Sequence, residues 1–347
     1  MTSPMDNDAQ FLKLIADQQQ LLIDRLQLLL EDLHPLLHID VIRALEGEGK
    51  LLSQSRQFHT EPSSSFLELP AGAWSLLTLS IAQNISPDIN PLYASSIAVA
   101  VECLVCAIDL LDDIIDGDQT TTVQTLGQAR VLNVSTALLM LAQRTILSVA
   151  RQGIASQNIL RLLEMLQEFS LITVAGQHWD ILAEQRPVQD FTHDECIAMV
   201  TAKAGSLMSL ACRLGALCAG ADEDLCEQFA EMGKLLGIAH QLDNDSHDLY
   251  YLLQGSMSST VTSGKSDLER GKKTLPVVLA AQSENTLQKQ ALSADEERQE
   301  HLKALHEGIT TTWGICLLYR ERARDRLQEI EARQSIDPLL RLLLGFT

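Results

Sequence analysis

Apolar residues recur with helical spacing along almost the whole chain, and the breaks between these segments are short. Such periodicity is typical of amphipathic α-helices. Aromatic residues make up only 4% of the sequence, whereas a β-sandwich or barrel needs strands rich in aromatic or β-branched residues. We therefore predict an all-α protein with helices near 6–33, 36–55, 70–86, 91–117, 126–152, 156–185, 193–219, 222–252, 272–284, 294–331 and 336–345.

The segment 94–111 is the most apolar of the chain. A helix this apolar is buried on most sides, so other helices must surround it. Two polar loops, at 59–65 and 255–271, interrupt the sequence, but neither a shift in composition nor an internal repeat divides it. We expect residues 1–347 to form one large helical domain.

The chain carries 46 acidic and 26 basic side chains, for a formal net charge of −20. This balance disfavours nucleic acid as a partner and favours metal cations. The most apolar segment contains Glu102 and Asp109, which are costly in lipid, and residues 1–19 lack the pattern of a signal peptide. We expect a cytoplasmic protein without a membrane span, whose seven Cys are reduced core thiols.

Four carboxylates close the most apolar helix. Asp109, Asp112, Asp113 and Asp116 are spaced i, i+3, i+4 and i+7, which predicts one acidic stripe. Two carboxylates about 4 Å apart repel by roughly 4 kcal/mol at an effective dielectric constant of about 20, and the carboxyl end of a helix disfavours anions. The stripe therefore predicts a bound cation, for which Mg²⁺ is the best match to oxygen ligands. A solvated acidic helix end is the alternative.

A second apolar helix ends in the same way. Gln241, Asn244, Asp245 and Asp248 repeat the spacing of the first stripe. Two such helices facing one another would form a metal-binding mouth above an apolar interior, which suits a diphosphate. The predicted metal ligands are Asp112, Asp116, Asn244, Asp245 and Asp248.

Three lysines provide the positive charge that a diphosphate site needs. Lys203 lies in a helical segment, and Lys265 and Lys272 lie in and beside the second polar loop. Lysine is a compact point charge suited to phosphate oxygens. A lone loop lysine is ordinarily solvated, so this prediction depends on the two acidic stripes.

The order of these motifs resembles that of the trans-isoprenyl diphosphate synthases over about residues 91–281. The segment 112–116 looks like the family's first aspartate-rich motif, and 241–248 looks like the second. Gln177 with Asp180 resembles the characteristic middle helix, and 264–276 resembles the closing loop and following helix. The resemblance implies an isoprenoid synthase fold with an apolar central cavity, three Mg²⁺ ions, a prenyl diphosphate substrate and a homodimer.

The candidate site residues come from both the spacing and the resemblance. The catalytic candidates are Asp112, Asp113, Asp116, Asn244, Asp245 and Asp248, and the substrate-binding candidates are Lys203, Gln241, Lys265, Gln177, Lys272 and Asp109. Lys203 is followed by Ala204, where the family usually has Thr. The residues before the first motif are small or aliphatic, which favours a long prenyl chain; they are Cys103, Leu104, Ala107 and Ile108.

The positions that resemble the second-substrate site depart from the family pattern. Chain-elongating members hold isopentenyl diphosphate with arginines in an early Gly-Lys-Arg segment and in a pair after the first motif. Here Lys50 is retained, but Leu51, Ser53, Thr121 and Thr122 replace cations. A charge-assisted hydrogen bond contributes roughly 1.5–3 kcal/mol, so the loss of several would remove most of the affinity for that co-substrate.

These departures lead us to predict Mg²⁺-dependent ionisation of a long allylic or preformed cyclic prenyl diphosphate, ending in a terpene hydrocarbon or alcohol. The first alternative is a prenyltransferase that uses an acceptor such as a peptide, or that elongates chains with a diverged site. The second alternative is a catalytically inactive regulatory subunit of a synthase. The retained carboxylates weigh against that last alternative.

Overall fold

The computed structural model describes residues 4–53, 70–254, 268, 270–286 and 294–346. No β-strand occurs within these ranges, so the all-α prediction is confirmed. The helices are α1 Pro4–Leu30, α2 Pro35–Leu45, α3 Ala73–Ile85, α4 Pro91–Asp116, α5 Thr121–Leu126, α6 Gln128–Ser148, α7 Ser156–Glu184, α8 His193–Val200, α9 Ser206–Cys218, α10 Glu223–Leu253, α11 Leu275–Thr286, α12 Ala294–Glu331 and α13 Pro338–Leu343. A π-helical turn at Thr201–Gly205 joins α8 to α9.

Helix α4 begins and ends at residues that local chemistry selects. The Asn90 side chain accepts hydrogen bonds from the backbone of the first turn, and Pro91 occupies a position where no backbone donor is needed. Gly117 has a φ of 73°, a left-handed conformation that terminates the helix directly after Asp116. The last two turns therefore carry the acidic residues of the first motif.

The prediction of a helix over 36–55 is wrong for the described residues 46–53, because α2 ends at Leu45. Gly49 has a φ of 75°, so the backbone leaves the helical conformation there. The Leu51 backbone N–H then donates to Glu102 Oε1 at 2.8 Å, which holds this turn against α4. The predicted helix over 193–219 is also interrupted, because it contains the π-helical turn.

The most apolar helix is buried as predicted. Every residue from 93 to 107 of α4 is buried, and α4 packs against α1, α3, α6 and α9. Helix α9 in turn packs tightly on α10 at two glycines: a Cβ on Gly233 would lie 2.6 Å from Met208 O, and a Cβ on Gly237 would lie 2.6 Å from Ala204 O. These close approaches fix α10 relative to the π-helical turn.

Three helical segments are long and apolar enough to cross a membrane by length and composition alone: 91–116, 128–152 and 193–218. In the first, 83% of the most apolar window is buried inside the protein. All seven Cys are buried free thiols, which confirms the prediction of core thiols.

Glu102 is a buried carboxyl group that joins three segments. Its two oxygens accept hydrogen bonds from the Leu51 N–H and from Ser75 Oγ, at 2.8 and 2.7 Å. Burial raises the pKa of Glu102, although the hydrogen bonds and the nearby Lys50 oppose that shift. The carboxyl group thus connects the turn after α2 and the start of α3 to the middle of α4.

We expect Glu102→Leu to lower the free energy of unfolding by about 1–3 kcal/mol, because the buried Leu51 N–H loses its acceptor. Glu102→Gln keeps an acceptor oxygen and should cost less. The exposed Glu168, on α7, provides the control substitution Glu168→Leu. Urea unfolding measures all three variants, and equal stability of Glu102→Leu and Glu168→Leu would exclude the connecting role.

Candidate active site

The C-terminal parts of α4 and α10 meet at a polar cleft with a cavity volume of about 200 Å³. Helix α7, the π-helical turn and the segment before α11 complete its wall. Eight predicted site residues line this cleft: Asp112, Asp116, Lys203, Gln241, Asn244, Asp245, Asp248 and Lys272. The two acidic motifs therefore face one space, as the sequence analysis expected.

Lys203 is held at the cleft by carboxylates from two helices. Its ammonium donates to Asp180 Oδ2 at 2.6 Å and lies 3.7 Å from Asp112 Oδ1. Helix α7 can approach this turn because Gly176 has no side chain. A Cβ at that position would lie only 2.8 Å from the Ala202 side chain and would clash with it. A π-helical turn contains an extra residue and frequently occurs at functional sites. Here it carries Lys203 into the cleft.

Asp116 is buried and bears two basic partners. Lys272 forms an ion pair with it, and Arg270 Nη1 lies 3.3 Å from Asp116 Oδ1. Arg270 also donates to Glu184 Oε1 of α7 at 2.7 Å and to Ile115 O at 2.8 Å. Arg270 thus connects α4 to α7, although the sequence analysis did not select it. The signal available was its place beside Lys272 in a short basic run.

Asp112 is a cleft carboxylate whose surroundings disfavour its ionised form. Burial raises its pKa to about 6, and the nearby Lys203 opposes that shift. Within the described residues, Asp112 Oδ1 is buried without a hydrogen-bond partner. A buried oxygen in this state is unfavourable unless a cation or a donor reaches it.

The polar residues of α10 form local hydrogen bonds. Gln241 Nε2 donates to Asp245 Oδ1 at 2.8 Å. The Asn244 side-chain nitrogen lies 3.2 Å from His240 Nδ1. Both contacts join residues one helical turn apart, so the second motif is ordered along its own helix.

Three predicted site residues are not among those that line the cleft in the described part of the chain. Asp113 accepts a hydrogen bond from Thr120 Oγ1 at 3.0 Å, and burial raises its pKa to about 6. Asp109 forms an ion pair with Lys50, and Gln177 lies half-buried on α7. Lys265, the remaining predicted site residue, lies outside the described residues.

Helix geometry explains why the first acidic stripe divides. Residues four positions apart lie almost above one another, so Asp112 and Asp116 form one row and Asp109 and Asp113 form a neighbouring row. The first row faces the cleft, and the second faces Lys50 and Thr120. Spacing alone cannot distinguish two adjacent rows from one broad stripe.

Other cleft residues were not among the predicted site residues: Asp118, Asp180, Met199, Val200, Lys273 and Thr274. Asp180 was the most accessible to prediction, since it accompanied Gln177 in the sequence resemblance. Its role as the hydrogen-bond acceptor for Lys203 is visible only in three dimensions.

No group of three His, Cys, Asp or Glu side chains within the described ranges is arranged to hold a metal ion. The donor set nevertheless fits Mg²⁺ chemically, because carboxylate and amide oxygens from both motifs share the cleft. Asp112 Oδ1 accepts no hydrogen bond within the described residues and has the Lys203 ammonium 3.7 Å away, which leaves this oxygen able to ligate a metal ion.

Asp112→Asn should raise the free energy of unfolding in metal-free buffer, because burial disfavours the ionised carboxylate. The folded protein binds this proton more tightly than the unfolded chain between about pH 4 and about pH 6. The gain should therefore be complete above that window and absent below it. Asp116→Asn should have the opposite sign, because Asp116 neutralises Lys272 and Arg270. Urea unfolding on both sides of the window tests this contrast, and destabilisation by both substitutions at high pH would contradict it.

Comparison with known proteins places this site in a family. The family model described as polyprenyl synthetase matches residues 73–309. Geranylgeranyl diphosphate synthase of Mycobacterium tuberculosis is 29% identical over 290 residues, which cover 80% of this chain and 77% of that protein. Tryptophan prenyltransferase ComQ of Bacillus subtilis subsp. natto is 31% identical over 156 residues, which cover 45% of each chain.

Solved structures agree at the level of the fold. Geranylgeranyl pyrophosphate synthetase from Geoglobus acetivorans superposes with a TM-score of 0.70 at 20% identity and covers 96% of both chains. Heptaprenyl diphosphate synthase from Staphylococcus aureus gives a TM-score of 0.72 at 16% identity, covering 95% of this chain and 96% of that one. Together with the family match, these similarities establish that the chain belongs to the polyprenyl synthetase family.

Proposed function

We propose that this protein is a Mg²⁺-dependent prenyltransferase that ionises an allylic prenyl diphosphate in the acidic cleft and transfers its prenyl group. The observation that carries this proposal is the meeting of both acidic motifs with Lys203 and Lys272 in one cleft. Carboxylates alone would repel a diphosphate. Lysines alone could bind a diphosphate, but they would not explain the five acidic or amide side chains that also line the cleft. The combination suits an anion bound through both metal ions and ammonium groups.

The residues that would hold Mg²⁺ are Asp112 and Asp116 on α4 and Asn244, Asp245 and Asp248 on α10. Bound Mg²⁺ would stabilise the negative charge that develops on the departing diphosphate. Lys203 would contact the same oxygens, with Asp180 fixing its ammonium. Lys272 adds a second ammonium from the segment before α11.

These residues would favour rupture of the bond between the allylic carbon and the diphosphate oxygen. The electron pair leaves with the diphosphate, and the remaining prenyl carbocation is then captured by a nucleophile. Fixed positive groups stabilise the leaving charge without reorganising, which is the usual source of electrostatic catalysis. Lys203 meets this requirement because its ion pair with Asp180 and its position near Asp112 restrict its motion.

The relatives support transfer more than the terpene synthase expectation. One relative is named a geranylgeranyl diphosphate synthase, and the other is named a tryptophan prenyltransferase. We therefore adopt the prenyltransferase alternative from the sequence analysis. Release of a terpene hydrocarbon or alcohol remains a defined outcome of the experiment below.

The surroundings of Lys50 support an acceptor other than isopentenyl diphosphate. Lys50 is already neutralised by Asp109. Thr122 and Lys50 both lie next to Gly47 in this turn. The Cβ position of Gly47 is 3.4 Å from Thr122 Oγ1 and 3.8 Å from Lys50 Cγ. Thr121 and Thr122 contribute no charge there. Among the residues that the structure describes around this turn, a second diphosphate would therefore meet one paired cation instead of a basic cluster.

The test is incubation of the purified protein with Mg²⁺ and geranyl, farnesyl or geranylgeranyl diphosphate, followed by measurement of released diphosphate and analysis of products. We expect release that EDTA stops. Asp112→Ala and Asp245→Ala should lower the rate by at least about 10²-fold, as expected for loss of a charge-stabilising group. Asp325→Ala, at an exposed position on α12, should leave the rate unchanged.

Absence of release from every donor would refute the proposal and favour the inactive-subunit alternative. Release that yields only terpene hydrocarbons or alcohols, whatever acceptor is supplied, would return the function to a terpene synthase.

A triple variant tests the exclusion of isopentenyl diphosphate. Asp109→Asn combined with Thr121→Arg and Thr122→Arg removes the ion pair of Lys50 and adds two cations, one of them at Thr122 next to the turn that carries Lys50. Each restored charge-assisted hydrogen bond contributes about 1.5–3 kcal/mol, so we expect isopentenyl diphosphate to bind at least about tenfold more tightly by calorimetry. Thr136→Arg, on the exposed face of α6, is the matched control. Equal affinity in wild type and triple variant would show that these positions do not face a diphosphate.

A further inference from the structure

Three buried residues on one face of α7 contact the segment that carries Lys203. Thr173, Gly176 and Asp180 are spaced i, i+3 and i+7, so they follow one another along a single side of the helix. Asp180 accepts a hydrogen bond from the Lys203 ammonium at 2.6 Å. A Cβ on Gly176 would lie only 2.9 Å from the Lys203 backbone nitrogen. This face of α7 therefore lies against both the charged tip and the backbone of Lys203.

Thr173 reaches the same segment through a pair of buried hydroxyl groups. Its Oγ1 lies 2.6 Å from Ser206 Oγ, and the two residues are 2% and 5% exposed. Ser206 directly follows the π-helical turn, and its backbone N–H donates to Thr201 O. Its hydroxyl oxygen lies 2.6 Å from Ala202 O and 3.1 Å from Lys203 O. The hydroxyl pair thus joins α7 to the carbonyl groups of the turn.

Each hydroxyl group has one proton, which limits how these contacts can be bonded. Thr173 Oγ1 also lies 2.9 Å from Phe169 O, whereas Ser206 Oγ lies 2.6 Å from Ala202 O. Because the Ala202 contact is the shorter one, the consistent arrangement has Thr173 donating to Ser206 and Ser206 donating to Ala202 O.

The two carbonyl groups that Ser206 contacts lie on either side of the Lys203 Cα atom. Ala202 O belongs to the peptide unit before Lys203, and Lys203 O belongs to the peptide unit after it. Each peptide unit is planar, so the orientations of the two units determine the direction in which the Lys203 side chain leaves the backbone. A hydroxyl group that fixes these carbonyls therefore restricts the direction of Lys203.

Part of this arrangement is ordinary helix chemistry. A helical serine commonly donates to the carbonyl four residues before it, as Ser206 does to Ala202 O. The contact with Thr173 is different, because it connects Ser206 to another helix. Thr173 lies on the same face of α7 as Asp180, which binds the Lys203 ammonium. One helix face thus contacts Lys203 at both ends.

We propose that Ser206 and Thr173 are positioning residues for Lys203. They fix the backbone around Lys203, so that its ammonium stays between Asp180 and Asp112 before a diphosphate binds. Neither hydroxyl residue is among those that line the cleft in the described part of the chain, so both act through Lys203. This inference rests on the proposed function, in which Lys203 contacts the departing diphosphate.

The first test is binding of inorganic pyrophosphate to the full-length protein in the presence of Mg²⁺, measured by calorimetry. We expect Ser206→Ala to raise the Kd about fivefold, as the loss of one hydrogen bond that positions a charged group predicts. Ser209→Ala is the matched control, because Ser209 is also 5% exposed and its hydroxyl also donates to a backbone carbonyl, Ala230 O at 2.8 Å. Equal Kd values for the two variants would overturn the inference.

A double-mutant cycle separates positioning from a purely structural role. In a Lys203→Ala background, Ser206→Ala should change the Kd for pyrophosphate by less than about twofold, because the residue that it positions is gone. A loss of affinity of the same size in both backgrounds would show that the hydroxyl group acts independently of Lys203. That result would also overturn the inference.

Thr173 provides a second pair of variants, which keeps the inference testable if Ser206→Ala fails to fold. Thr173→Val removes the hydroxyl group at nearly the same shape, and Thr173→Ser keeps it. We expect Thr173→Val to raise the Kd for pyrophosphate and to lower kcat for diphosphate release from farnesyl diphosphate, each by about threefold or more. Thr173→Ser should retain the wild-type values. Equal values for these two variants would show that the hydroxyl pair has no positioning role.

Failure of the proposed function gives a different result. Absence of diphosphate release from every donor would refute that function, whereas the pyrophosphate measurements would still decide whether the two hydroxyl groups position Lys203. Release by the wild-type protein, with unchanged binding by Ser206→Ala and Thr173→Val, would overturn the positioning role alone.

Discussion

Repulsion between carboxylates at the ends of two apolar helices is the constraint on which this structure depends. Asp112 and Asp116 lie at the end of α4, and Asp245 and Asp248 face the same cleft from α10. Such a cluster is tolerated only if positive charge enters it. The protein provides part of that charge through Lys203 and through the basic run at 270–273, and the proposed metal ions would provide the remainder.

The surrounding fold serves to bring those helix ends together. Gly233 and Gly237 allow α10 to approach α9 and the π-helical turn, and Gly176 allows α7 to approach the same turn. Larger side chains at these positions would separate the helices and move Lys203 away from Asp112. Close backbone packing therefore determines the electrostatics of the cleft.

Much of this organisation could be predicted from the sequence. Helical periodicity predicted the fold class and most helix positions. Repeated polar spacing identified six residues of one cleft, and the need for positive charge added Lys203 and Lys272. Two features escaped prediction for physical reasons. The division of the first stripe depends on the rotation of α4 against its neighbours, which determines that Asp109 meets Lys50. The partnership of Asp180 with Lys203 joins residues 23 positions apart on different segments, and no local pattern encodes that contact.

The ion pairs of Asp116 have a consequence for how the cleft fills. A carboxylate that ligates a metal ion can no longer neutralise Lys272 and Arg270 to the same extent. An arriving diphosphate brings the negative charge that those two groups would then need. If the proposed function holds, loading of the site would be an exchange of ion-pair partners, in which metal and anion bind together because either one alone would leave an uncompensated charge. Arg270 also donates a hydrogen bond to Glu184 of α7. A change in the partners of Arg270 would therefore also change its contact with α7.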